Sequence, residues 1–170
     1  MTETEEAEGM GCDTHCSSAK AQVLNRAVTV NSDPAIVFAW ICQLKAAPYS
    51  YDWIDNLGRQ SPPHRDPMNE QLENGQIVML GFRVIDFSQG QELTIQTRGL
   101  EWLLGQVVMS YQAKPISPTQ CRLLGRLRVK YPAHPIGWLL RLILPLGDLI
   151  MMRKQLLTLK KYAEQEICSA

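Results

Sequence analysis

Two stretches of strict alternation set the problem that this chain has to solve. Between Leu104 and Lys114, Val107, Met109, Tyr111 and Ala113 fall on one side, with Gln106, Ser110, Gln112 and Lys114 on the other. Between Cys121 and Tyr131, Cys121, Leu123, Gly125, Leu127, Val129 and Tyr131 oppose Arg122, Arg126, Arg128 and Lys130. Period two marks strands with one dry face and one wet face. The short connection from Pro115 to Thr119 makes the two strands antiparallel neighbours. A sheet of this kind must cover its dry face. Past Tyr131 the apolar spacing changes to threes and fours, through Leu139, Leu142, Ile143, Leu146, Leu149, Ile150, Leu156 and Leu157. That is a helix with a broad apolar stripe, which needs a cover of its own. Sheet and terminal helix therefore answer each other, and a curved sheet wrapped around one helix leaves an interior suited to a small molecule. Pro145 is expected to kink this helix or divide it in two.

The upstream segments complete an α+β order. Val23 to Val30 reads as the first strand. Asp33 is a good N-cap, Pro34 suits the first helical position, and Val37, Trp40, Ile41 and Leu44 then make one apolar face. Pro48 ends that helix, and a second short helix is expected from Tyr51 to Leu57. The run from Ser61 to Pro67 is a loop by composition. Gln76 to Phe87 reads as one long strand bent at Gly81, and Glu92 to Arg98 as the next. Glu3, Glu5, Glu6 and Glu8 repel one another in a segment with few side chains to bury, so residues 1–20 are expected to be a disordered acidic tail ahead of one ordered domain, 21–168.

Charge and cysteine usage narrow the function. Lys plus Arg number 17 and Asp plus Glu 17, giving zero formal net charge, which argues against nucleic acid as a partner. The 5 cysteines follow an acidic N-terminus with no secretory signal, so reduced thiols and a cytoplasmic location are expected. Cys12, His15 and Cys16 are zinc-type ligands, yet no second ligand pair follows them, and neither a metal nor another cofactor is expected. The longest apolar run, Ile136 to Met152, is interrupted by Arg141, Pro145 and Asp148 and falls short of a membrane span.

Three stretches carry a resemblance to a known family. They are Ser32-Asp33-Pro34-Ala35-Ile36-Val37-Phe38-Ala39-Trp40, the block from Ala47 to Arg59 that reads APYSYDWIDNLGR, and the run from Gly147 to Lys160 in the last helix. Together they are similar to the START-related superfamily, also called SRPBCC, over roughly Asn25 to Ala163. The resemblance implies the helix-grip fold: a curved antiparallel sheet around a long C-terminal helix, with two short helices after the first strand. The superfamily includes lipid carriers, plant hormone and allergen proteins, polyketide aromatases and cyclases, and quinone-binding proteins, so a shared fold does not choose among functions.

The candidate ligand-binding residues are Tyr49, Tyr51, Asp52, Trp53 and Arg59 in the second block and Phe82, Met109, Tyr111 and Leu127 on the sheet. Aromatic side chains near a cavity mouth and a carboxylate or guanidinium to fix a polar end are what a small hydrophobic ligand requires. The same block also suits a structural role, with aromatics anchoring a short helix, Asp52 or Asp55 capping a turn and Arg59 pairing with one of them. Tyr111 stands out because its hydroxyl needs a partner once buried. Asp148 and Arg153 are expected to pair, either with each other or with the segment from Asp52 to Arg59. The Arg122, Arg126, Arg128 and Lys130 stripe is expected to be a solvated strand face. No Gly-x-Ser-x-Gly elbow, His-Glu-x-x-His or phosphate loop is present, and His15, His64 and His134 lie in the tail or in proline-rich loops. Binding or carriage of a lipid, isoprenoid or polyketide-like molecule is thus favoured over a cyclase or dehydratase using Tyr, Asp or Arg, and no catalytic residue is assigned. A third role comes from Ile136 to Leu146, which is apolar nearly all round and suits peripheral contact with a membrane or docking on a partner protein.

Overall fold

The computed structural model describes residues 1–79, 81–99 and 101–169, with side chains through 166; the side chain of Cys168 lies outside the described residues. Helices α1 (Glu3–Ala7) and α2 (Gly11–His15) precede strand β1 (Gln22–Val30) and helix α3 (Pro34–Cys42). Helix α4 (Asp52–Asp55) follows, then β2 (Ile77–Val78), β3 (Phe82–Ser88), β4 (Glu92–Thr97), α5 (Glu101–Leu104), β5 (Gln106–Ser117), β6 (Gln120–Lys130) and α6 (Pro135–Ser169). Among the described residues the strands form a single antiparallel sheet in the order β1-β6-β5-β4-β3-β2. This is the helix-grip arrangement expected from the alternation in β5 and β6 and the stripe in α6.

Local chemistry explains the elements. The Asp33 carboxylate accepts the Ala35 amide at 2.7 Å and Pro34 opens α3, whose Val37, Phe38, Trp40 and Ile41 are buried. β5 and β6 pair in register from Gln106 with Lys130 to Pro115 with Cys121, placing Val107, Tyr111, Leu123, Leu127 and Val129 on the inner face. Helix α6 closes on that face through Met152, Leu156 and Leu159. The helix can come close because Gly125 has no side chain: a Cβ there would lie 3.1 Å from Met152 Sδ and 3.7 Å from Leu156 Cδ2.

Several expectations are corrected. The bent strand across Gln76 to Phe87 is a tight hairpin: Val78 pairs with Phe82, and Met79 (φ 50°) and Gly81 (φ 90°) take left-handed backbone at the turn. Of the two outcomes expected at Pro145, a kink or a division, the second does not occur: α6 runs through it as one helix.

Residues 1–20, expected to be a free acidic tail, form α1 and α2 on the outer face of the sheet. Arg126 is only 3% exposed there. All of its donors are used: Nε donates to Asn25 Oδ1, Nη1 to the Glu8 carbonyl and Asp13 Oδ2, and Nη2 to the Glu5 and Glu6 carbonyls, over 2.5–3.1 Å. Arg122 holds the Glu5 carboxylate at 2.8 Å and Arg128 holds Asp13 at 2.7 Å. The three arginines of the basic stripe are therefore not a solvated face, whereas Lys130 is exposed. Beneath it Met10, Cys12 and Cys16 pack with Val108 and Leu124 in a second apolar cluster. Burial pushes the Cys12 thiol up to about 12, while His15 turns away to Asp86 at 3.1 Å.

Candidate functional site

Between the inner face of the sheet and α6 lies a partly open cavity of about 190 Å³. Its walls come from Pro48 and Ser50 before α4, Asp55 of α4, Met79 in the β2–β3 turn, Phe82 of β3, Met109 of β5, and Asp148, Met151, Met152 and Gln155 of α6. The methionines and Phe82 make most of the surface apolar, and unbranched thioether side chains adapt to irregular shapes.

The polar atoms of the wall are few and mostly committed. Tyr111, fully buried behind the wall, donates its hydroxyl to Gln155 Oε1 at 2.7 Å. Gln155 Nε2 donates to the Pro48 carbonyl at 2.6 Å and lies 3.6 Å from Met79 Sδ. Ser50 donates to the Met151 carbonyl at 3.0 Å. Two carboxylates also stand in the wall. Asp148 has its side chain 5% exposed and Oδ2 at 2.9 Å from Arg26 Nη2, a charge contact without the alignment of a hydrogen bond. Asp55 Oδ1 is buried without a partner. Burial raises both: Asp148 to about 6, with Arg26 working in the opposite direction, and Asp55 upward for the same desolvation cost. The cavity is thus an apolar pocket with two carboxyl groups in its wall, both raised by burial.

Of the residues expected at a site, Phe82 and Met109 line this cavity and Tyr111 braces it from behind. Tyr49 lies in an aromatic cluster instead, edge-on to Trp40 and Tyr162 with centroids 6.0 Å away in each case. Its buried hydroxyl has no partner, and burial pushes it up to about 12. Asp52 ties down the following loop, accepting from the Ser61 amide at 2.8 Å and hydroxyl at 2.5 Å. Tyr51 is half-buried just before α4, while Trp53 and Arg59 face solvent. Leu127 is buried with Val107 and Val129. Asp148 pairs with Arg26 on β1, and Arg153 is exposed, so neither expected pairing of these two residues forms. Asp55, Met79, Met151, Met152 and Gln155 were not singled out as ligand contacts. Gln155 had one visible signal: it is a polar residue within the inward row of α6, beside Met152, Leu156 and Leu159.

A wider hollow of about 640 Å³ lies beside Trp40 and Tyr162. Its charges are already paired, Arg65 with Glu70 at 2.8 Å and with Glu166 at 2.5 Å. It lies outside the space enclosed by sheet and helix.

No family model matches this chain, and no curated protein matches it in sequence. Solved structures do match. The Zhui aromatase/cyclase from Streptomyces sp. R1128 aligns with a TM-score of 0.59 at 14% identity, covering 86% of this chain and 96% of that one. Norcoclaurine synthase from Thalictrum flavum aligns at 0.52 and 12% identity, covering 91% and 92%. The di-domain aromatase/cyclase StfQ of the steffimycin biosynthetic pathway aligns at 0.53 and 15%, covering 87% of this chain and 52% of that one. The chain therefore shares the helix-grip fold of these solved structures. At such identities the likeness is one of fold.

Proposed function

We propose that the protein binds a small hydrophobic molecule that carries a hydrogen-bond donor, such as a phenol or alcohol, between the sheet and α6. The observation that carries this reading is the makeup of the cavity wall: an apolar surface whose donors are spent internally and whose remaining polar groups are the carboxylates of Asp148 and Asp55. A ligand that brought only acceptors would meet no free donor there and leave its own polar atom stranded. The volume sets the scale. An apolar cavity of about 150 Å³ holds one benzene, so about 190 Å³ encloses a ring system or the head of a longer molecule, with the remainder leaving through the open side. The solved structures that share this fold include an aromatase/cyclase and a norcoclaurine synthase, in keeping with a small-molecule ligand.

Naphthol and its methyl ether test the reading, since they differ by a single donor. Naphthol is expected to bind more tightly by roughly tenfold, the size of one well-placed hydrogen bond to a charged group, and Asp148→Leu is expected to erase the preference. If calorimetry detects neither compound, the cavity is not a binding site. Equal affinities would leave the cavity and remove the donor rule.

A second reading rests on Asp148 itself. A carboxyl group near 6 in an apolar pocket can take a proton from an enolisable substrate and return it, as a cyclase or dehydratase requires. Asp148→Asn would then abolish turnover of such a substrate while preserving its binding.

A further inference from the structure

The outer surface of α6 does not fit a helix that meets only water. Trp138, Leu142, Ile143, Leu146, Leu149 and Ile150 are all exposed, Trp138 by 71%. Contrary to what the interruptions at Arg141, Pro145 and Asp148 suggest in the sequence, the helix is long and apolar enough by length and composition to cross a membrane, and only 11% of its apolar stretch is buried. Its inward row, from Leu144 through Asp148 and Met152 to Leu156, is nevertheless committed to the sheet, with Asp148 held by Arg26. The helix is therefore partnered on one side and bare on the other. Scattered exposed apolar residues need no explanation, but a contiguous patch of this size does.

The neighbours of the patch identify what covers it. From Pro135 to Leu159 the exposed charges are Arg141, Arg153 and Lys154, and the only carboxylate in that stretch, Asp148, is turned inward. The outer face thus passes from an apolar half to a cationic half along one helix. Short α5 packs beside α6 and exposes Trp102, next to the exposed carboxylate of Glu101. Across the cavity mouth α4 and its end expose Trp53, Ile54 and Leu57. Indole rings with nearby cations suit the boundary between headgroups and acyl chains. Both α4 and α6 also contribute residues to the cavity wall, Asp55 from the first and Asp148, Met151, Met152 and Gln155 from the second.

We infer that this surface docks on an anionic lipid bilayer. The apolar half of α6, with Trp102 and Trp53, enters the acyl boundary, and Arg153 and Lys154 lie against the headgroups. Docking of this surface is independent of the cavity's ligand chemistry. It stands whether or not naphthol binds.

Flotation of the full chain with vesicles tests it. The protein is expected to float with phosphatidylcholine vesicles containing phosphatidylglycerol, and several-fold less with phosphatidylcholine alone or in high salt. Leu142→Glu combined with Leu146→Glu changes two exposed positions. With an unchanged circular dichroism spectrum, it should reduce flotation roughly tenfold or more, as burying two leucines would require. Arg153→Glu with Lys154→Glu keeps the apolar half and should lose the preference for the anionic vesicles. That second variant decides the matter if the first does not fold. Wild-type protein that never floats with the anionic vesicles overturns the inference, as does a folded glutamate variant that floats like wild type. A dimer in size-exclusion chromatography that the glutamate pair converts to monomer, with no flotation, would assign the surface to a second copy and also overturn it.

Discussion

Asp148 is a carboxylate in a place that disfavours its charge. Burial lifts it from 3.8 to about 6, and Arg26 recovers part of the cost. A folded-state pKa above the unfolded one means that folding takes up a proton. The stabilisation is fully present below 3.8 and is lost as pH rises through about 6. Asp148→Asn should therefore flatten the stability profile across that window by roughly 1–3 kcal/mol, measured by urea unfolding at a series of pH values; an unchanged slope would mean that another group titrates there. A donor-bearing ligand acts in the opposite direction by favouring the ionised form, so its affinity should climb as pH passes about 6. Tyr111 makes a different demand. Tyr111→Phe leaves Gln155 Oε1 buried with its donor removed, an expected loss of about 1–3 kcal/mol in chemical denaturation. That Tyr111 needed a partner was legible in the sequence, because a tyrosine sits on the dry side of an alternating strand. The identity of the partner was not, because Gln155 lies 44 residues further on, in another element.

At the scale of elements, strands β1, β4, β5 and β6 and the helices α3 and α6 follow from local pattern: alternation, an Asp-Pro start, a stripe at threes and fours. What escaped was whatever depends on contacts distant in sequence. The β2–β3 hairpin hides because Met79 occupies a left-handed position that glycine or asparagine normally advertises. The N-terminal helices hide because a run of glutamates repels itself only while it is considered alone; on the sheet Arg122 takes the Glu5 carboxylate and Lys114 that of Glu8, while Arg126 and Arg128 hold Asp13. The cavity was legible as a consequence of sheet meeting helix. Its lining was legible only at Phe82 and Met109, since the other contacts arise from a turn, a short helix and one phase of α6. The docked segment carries its own pH dependence. The hydrogen bond from Arg122 brings Glu5 down from 4.5 to about 2, and a depressed carboxylate stabilises above its unfolded value and loses that stabilisation as pH falls through the folded one. Docking should loosen between 4.5 and about 2, seen as faster amide exchange in residues 1–20 while the sheet stays protected. At neutral pH, Arg126→Met removes the guanidinium that caps the Glu5, Glu6 and Glu8 carbonyls, and cleavage by a glutamate-specific protease in that segment should accelerate roughly tenfold or more, since several charge-assisted bonds are lost together.

For the molecule as a whole, one seam carries both the fold and the cavity. Helix α6 can be gripped only because β6 offers Gly125 beneath Met152 and Leu156, and Met152 is at once a core residue and a cavity wall. Filling the seam must therefore affect ligand and fold by different amounts. A valine at position 125 would push Met152 toward the empty space, since its thioether is the flexible partner and the sheet backbone is not. The cavity absorbs the displacement, so the expected stability cost is about 1–3 kcal/mol, while the space for a ring is largely lost. Thermal unfolding with and without naphthol separates the two effects. A ligand at a hundred times its Kd stabilises the native state by about 2.7 kcal/mol, which for a domain of this length raises Tm by roughly 5–10 °C. The wild type should show that shift, and Gly125→Val should unfold cooperatively with little or none of it. If the variant keeps the full shift, the ligand does not sit against Met152 of α6, and the enclosed space has to be regarded as a packing void.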